Sequence, residues 1–278
     1  MRLLLLLVAC ATLAGCATTS PQTRQVLKNP LDVPRKYEVS NIAFVDQVEG
    51  DCGPSALTSM LHWAGHPADF AEVRSQLVVP SKKGTLQMDL ISASRRHGFM
   101  AIPIQGLQDL LLELASGHPA IIFQNLAFSW MPQWHYAVAT GYDLDKQEII
   151  LLAKDQDDTR MPMTYFERHW QPANYWALLV LPANQLSKTA DELSHMRAAA
   201  GLEQATKISE AETAYTQILQ RWPSSLSALI GMGNIAYQKN NYSESVRFLK
   251  LAVKNHPTSE SAKHNLAVVQ LKLKKSKK

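Results

Sequence analysis

Of the three cysteines in the chain, Cys52 is the one whose neighbours could do chemistry. It stands in Asp51-Cys52-Gly53-Pro54-Ser55, and behind it Ala56, Leu57, Met60, Leu61 and Ala64 fall at helical spacing until Gly65 supplies a stop. Pro54 fits only the first turn of such a helix, so Cys52 sits at its N-terminus. Unpaired amide groups and the positive end of the helix dipole favour a thiolate at that position. A buried, inert thiol is the commoner fate of a lone cysteine, but it would lie further along, on the apolar face. A thiolate attacking an amide needs donors for the developing oxyanion and a base to manage the proton. Gln47, five residues upstream across a turn containing Gly50, could donate its side-chain amide to the same oxygen as the Cys52 N–H.

The base must come from elsewhere in the chain, and most of the nine histidines are poor candidates. His62 and His66 flank the far end of the Cys52 helix. His97 precedes Gly98 at a helix end, His118 lies in the turn Gly117-His118-Pro119, and His169 has no strand behind it. His195, His256 and His264 belong to a helical C-terminal region. His135 differs, because it opens the strand Trp134-His135-Tyr136-Ala137-Val138-Ala139-Thr140-Gly141-Tyr142. Its face, His135, Ala137, Ala139 and Gly141, is made of small residues, over which a helix could pack closely and bring a thiol within reach. A third group should orient the imidazole. The run Glu148–Ala153 reads as the hairpin partner of the His135 strand and leads into Lys154-Asp155-Gln156-Asp157. Asp155 is the first choice and Asp157 the reserve, against the plainer reading that these acids solvate a loop.

Taken together, Gln47, Cys52-Gly53-Pro54, His135-Tyr136 and the following strand with its Asp resemble the papain-like bacteriocin-processing peptidases that cleave double-glycine leaders. The resemblance covers roughly residues 40–182, including the helix Leu86–His97 and the strand Pro119–Phe123. It implies a papain-like fold with amide-hydrolysing chemistry, Cys52 as nucleophile, Gln47 at the oxyanion, His135 as acid and base, and Asp155 as the orienting group. Family members usually carry Asp-Pro where this chain has Asp155-Gln156, and the best-known ones are fused to transporters, so leader cleavage itself does not carry over. Neither a metal nor another cofactor is implied. His-Glu-x-x-His and Cys-x-x-Cys spacings and a Gly-rich phosphate loop are all missing from the sequence.

The surrounding chain supplies an address and an appendage. Arg2 followed by Leu3–Ala14 is too short to span a bilayer but suits a signal peptide. Its ending, Leu13-Ala14-Gly15-Cys16, resembles the lipobox of bacterial lipoproteins, which implies a signal peptide over 1–15 and lipidation at Cys16. Ala17 in the next position is the pattern of export to the outer membrane, facing the periplasm. Residues 16–38, polar and proline-spaced, suit a tether, and a peptidase domain follows over 39–184. Cys10 then leaves with the signal peptide and Cys16 is blocked by lipid, so Cys52 is a single free thiol in an oxidising compartment. From 188 to 275 the composition turns Ala-rich and amphipathic. Pro223 and Pro257 stand 34 residues apart, and stepping back 34 from Ser245, Leu249 and Ala252 reaches Ala211, Tyr215 and Ile218. That period resembles tetratricopeptide repeats, with a capping helix beginning near Ser261.

The expected fold class is therefore α+β, a papain-like domain followed by an all-α repeat domain. An excess of only four Lys and Arg over Asp and Glu, part of it in the C-terminal lysine tail, gives no nucleic-acid stripe. Expected partners are a peptide or protein substrate, a protein at the repeats and a membrane through the lipid. Other readings are a silent peptidase-like fold that binds through its repeats, and a related Cys–His chemistry on cell-wall peptides or in acyl transfer.

Overall fold

The computed structural model describes residues 20–46, 50–77, 84–153 and 160–276. Seven strands form one sheet: β1 (Lys36–Glu38), β2 (Met100–Gln105), β3 (Ala120–Asn125), β4 (Trp134–Asp143), β5 (Glu148–Leu151), β6 (Arg160–Pro162) and β7 (Trp176–Leu181). The order is β2-β7-β3-β4-β5-β6, with β1 paired to β4, and all pairings are antiparallel. The central strands are rich in branched residues, and β7 (Trp-Ala-Leu-Leu-Val-Leu) is apolar on both faces because both are covered.

Helices α2 (Cys52–Trp63), α3 (Phe70–Leu77) and α4 (Gln87–Arg96) cover one face. Their residues Leu57, Met60, Leu61, Val73, Leu77 and Leu90 meet Ile121, Tyr136, Val138, Leu178 and Val180 of the sheet. The other face, with Ile102, Ile122, Ala139 and Leu179, receives α5 (Leu107–Ala115) and α6 (Met163–Trp170). Tyr142 on this face also donates to the Pro34 carbonyl at 2.9 Å.

The N-terminal segment corrects the reading of residues 16–38 as a tether. Its described part is docked: Pro21–Lys28 is a helix, α1, and Lys36–Glu38 is the strand β1. Ser20, Thr23 and Val26 are buried. The buried Glu167 carboxylate on α6 accepts from the Gln22 and Thr23 amides at 2.9 and 2.8 Å, and the Gln22 side-chain oxygen accepts from the Leu107 amide at 2.6 Å. These residues read as solvent-seeking, but their polar atoms satisfy helix ends supplied by distant parts of the chain.

Five helices complete the structure: α7 (Glu192–Gln204), α8 (Ile208–Arg221), α9 (Leu226–Gln238), α10 (Tyr242–Asn255) and α11 (Glu260–Ser276). α7, α9 and α11 begin at 192, 226 and 260, and α8 and α10 at 208 and 242, so each kind recurs every 34 residues. Ala211, Tyr215 and Ile218 are as fully buried as Ser245, Leu249 and Ala252 one period later. Close approach of α8 and α9 needs Gly231, where a Cβ would fall 2.7 Å from the Tyr215 ring. α7 packs on β2, and its Ala198, Ala199 and Leu202 join the core of the α5 face.

The join between sheet and helices is polar and buried. Glu113 on α5, fully buried, accepts from His118 Nδ1 at 2.7 Å, Ser187 Oγ at 2.6 Å, and the Thr189 amide and hydroxyl at 2.7 and 2.8 Å. Burial pushes this carboxyl up, but the bonds from His118, Ser187 and Thr189 outweigh it and hold it below the usual carboxylate range. A carboxylate depressed in the folded state contributes stability above its unfolded value, and that stability drains as pH falls through the folded value. Glu113→Gln should therefore lower the unfolding free energy at pH 7, measured by urea titration, by about 1–3 kcal/mol. It should also flatten the loss of stability on acidification below about pH 4.5, the carboxyl's ordinary value. An unchanged acid slope would show that Glu113 is not the group responsible.

Candidate active site

Cys52 is the first residue of α2, half-buried at the helix's amide end, and its thiol is free. Asp51, in the N-cap position, turns its buried carboxylate to Arg74 Nε at 2.8 and 2.9 Å and makes no capping bond among the described residues. The amide end of α2 is thus not occupied by the side chain best placed to fill it, which keeps its positive field directed at the thiol.

Three residues hold that helix end against the sheet. Gly53 lies on Thr85, so closely that a Cβ there would sit 2.7 Å from both Thr85 Cβ and Oγ1. Thr85 is clamped in turn, its carbonyl accepting from Tyr136 Oη at 3.0 Å. Tyr136 stacks on Phe123 with centroids 4.5 Å apart and meets Trp176 edge-on at 6.3 Å. Burial, then the charges of Cys52 and Asp89, push its phenol far above the ordinary value, so it remains a neutral donor to the Thr85 carbonyl.

His135 is the neighbour of Tyr136 on β4 and pairs with Gln124 of β3. Burial lowers its pKa, which leaves the imidazole neutral at pH 7, the form able to take a proton. The strand register revises one part of the sequence reading. The Cys52 helix packs on the face of Tyr136 and Val138, whereas Ala137 and Ala139, the small residues aligned with His135, pack into the core beneath α5. Alternation placed the helix over the small residues, but the bulky face carries the aromatic platform that the helix end needs. His135 instead meets α2 along its flank, where it lines a small cleft with Ser55, Ala56 and Ser59, closed by Phe44 and Leu152.

Cys52 lies beside Tyr136, and His135, the neighbour of Tyr136 on β4, lines a cleft with Ser55 and Ser59 from the same helix as the thiol. Gln47, Asp155 and its reserve Asp157, like Cys16, lie outside the described residues. Of the other histidines, His97 is the C-cap of α4, His118 pairs with Glu113, and His195 is buried in α7, its Nδ1 at 2.8 Å from the Asp191 carbonyl. Asn125 and His169 were not legible beforehand. Asn125 Oδ1 accepts from the Ala127 and Gln133 amides at 3.1 and 2.9 Å, and its carbonyl meets His169 Nδ1 at 2.7 Å. Together they set the loop that delivers His135. No local pattern announces such a pair, since its members are 44 residues apart. Among the described residues no cluster of His, Cys, Asp and Glu is suited to a metal, and no helix is long and apolar enough to cross a membrane.

The peptidase C39 family model matches residues 41–185, just over half of the 278 residues. The chain belongs to the peptidase C39 family. The match contains Cys52, His135 and every element that positions them, and it ends before α7. Among solved structures, a C39-like peptidase from Bacillus anthracis is 18% identical over 55% of this chain and 99% of that one, with a TM-score of 0.46. The peptidase domain of Streptococcus ComA, a bi-functional ABC transporter involved in a quorum-sensing pathway, is 23% identical over 51% of this chain and 99% of that one, with a TM-score of 0.42. A double glycine motif protease from an AMS/PCAT transporter, in complex with its leader peptide, is 19% identical over 52% and 93%, with a TM-score of 0.40. No curated protein matches the chain.

The fit of Gly53 on Thr85 generates a test of the C39 site. Gly53→Ala should cost about 1–3 kcal/mol of stability, since the short Thr85 side chain cannot swing aside. It should also slow alkylation of Cys52 by displacing the helix end. Urea unfolding and iodoacetamide kinetics measure the two effects, and full retention of both would show the contact to be slack.

Proposed function

We propose that the chain is a cysteine peptidase of the cell envelope, lipid-anchored through Cys16 at the outer membrane and facing the periplasm. The observation that carries the reading is the free thiol of Cys52 at the amide end of α2, packed on the strand that carries His135, inside a C39 domain. The neutral imidazole of His135 takes the thiol proton, and Cys52 Sγ attacks the peptide carbonyl. The Cys52 N–H and the Gln47 side chain stabilise the oxyanion, and Asp155, or Asp157 in its place, orients the imidazole. His135 then gives its proton to the leaving amine and activates the water that hydrolyses the thioester. The 34-residue recurrence of α7 to α11 supports tetratricopeptide repeats, a docking platform for a substrate or partner protein.

In a chain beginning after Cys16, Cys52 is a single thiol, so the rate of iodoacetamide alkylation reports on it alone. His135→Ala should slow labelling of the folded chain at pH 7 about tenfold, because the group that takes the thiol proton is gone. Equal labelling rates in the parent and in His135→Ala would remove the enzyme reading. Cys52→Ala should abolish peptide hydrolysis, with mass spectrometry of the products separating hydrolysis of protein from hydrolysis of cell-wall peptides and from amine incorporation.

A further inference from the structure

The largest apolar exposure near the site lies on the loop that leads into His135. Between Gln124 and His135 no Asp, Glu, Lys or Arg occurs. Phe128, Trp130 and Met131 are 65%, 76% and 58% exposed, and Trp134 is 44% exposed. The loop is built rather than slack. Leu126 donates to the Gln133 carbonyl at 2.9 Å, Phe128 bridges Met131, and Asn125 holds both arms. Phe128 and Trp130 stack with centroids 5.7 Å apart at the tip. A peptide groove would enclose such side chains on several sides, whereas these project from a hairpin, the form and composition of an interfacial membrane contact.

The N-terminus says which surface they meet. Ser20 is buried and donates to the Thr164 carbonyl at 3.0 Å, which fixes it to the start of α6. Five residues along α6, roughly 7.5 Å at the helical rise, His169 contacts Asn125 at the root of the apolar loop. Tyr165, beside Thr164, is exposed and packs edge-on against His169. Cys16 precedes Ser20 by four residues, a reach of at most about 14 Å even fully extended. A lipid on Cys16 would therefore hold this part of the surface close to the bilayer, with no length of chain for the domain to stand away.

We propose that the hairpin 126–134 is a membrane-interface wedge that seats the C39 domain on the bilayer to which Cys16 anchors it. The wedge leads straight into β4, so the cleft at His135 opens beside the lipid surface, and peptides lying on or emerging from that surface are the substrates it can reach. The inference rests on the lipoprotein reading above.

The test uses the lipid-modified chain in vesicles of phosphatidylethanolamine and phosphatidylglycerol whose acyl chains are brominated. Brominated lipid should quench the tryptophan emission of the parent, and Trp130→Ser should remove at least half of that quenching. Phe128→Ser with Met131→Ser should weaken it with Trp130 still present, and should leave the thermal midpoint unchanged because both side chains are exposed. An anchored parent that is not quenched would overturn the wedge and leave the lipoprotein reading standing. The same result combined with a raised KM for peptide in the Phe128/Met131 variant would assign the loop to peptide binding instead. An intact mass showing an unmodified Cys16 would overturn both the anchor and the inference built on its reach.

Discussion

The thiol must stand at an open helix end and must also be held still, and the contact of Gly53 with Thr85 is where both demands meet. A helix N-terminus carries unsatisfied amides, so burying it against a sheet is costly unless something polar is supplied. Here the polar partner of Asp51 is Arg74, and the helix end rests on the side chain of Thr85, whose carbonyl Tyr136 of the sheet fixes in place. The amides are consequently left beside Cys52. Adding one methyl group at position 53 would separate the two surfaces. The aromatic stack of Tyr136, Phe123 and Trp134 continues this support up to Trp134, the first residue of β4 and the neighbour of His135.

Buried polar residues do for the domain what the hydrophobic core cannot. Glu167 receives the first amides of α1 and Glu113 gathers the segment that joins the sheet to α7, while Asn125 ties α6 to the loop before β4. Each satisfies polar groups that would otherwise be buried without partners, and each joins elements distant in the chain. Hydrophobic packing is tolerant of small shifts, but such bonds have fixed directions, so they set the angles at which the helices meet the sheet.

The helical region behaves as a stack laid against the sheet edge. α7 contributes to the core of the α5 face, and each later helix packs mainly on its predecessor. Arg221 of α8 reaches back to the Ser187 carbonyl at 2.7 Å, close to the bonds that Ser187 makes with Glu113. The helical stack is thus tied to the C39 domain by polar bonds as well as by apolar packing.

Local chemistry determined a large part of this protein. Pro54 after Cys-Gly marked the start of α2, alternation marked β4 and β5, and the 34-residue spacing marked the helical pairs. All of these depend on backbone preferences and periodicity within a few turns of chain. Residues 20–38 resemble a solvated tether in sequence for the converse reason, because Gln22 and Thr23 are polar and nothing nearby says that Glu167 and Leu107 will use them. The face of β4 that receives the Cys52 helix was not legible either. Both faces of the strand are apolar enough to be buried, and the choice between them depends on Phe123, Trp176 and Thr85 arriving from other elements. Residue type and spacing thus mark the candidate reactive groups and the elements that carry them. Only the tertiary structure decided which surfaces meet and how the thiol's helix is held, because those outcomes depend on contacts between residues tens of positions apart.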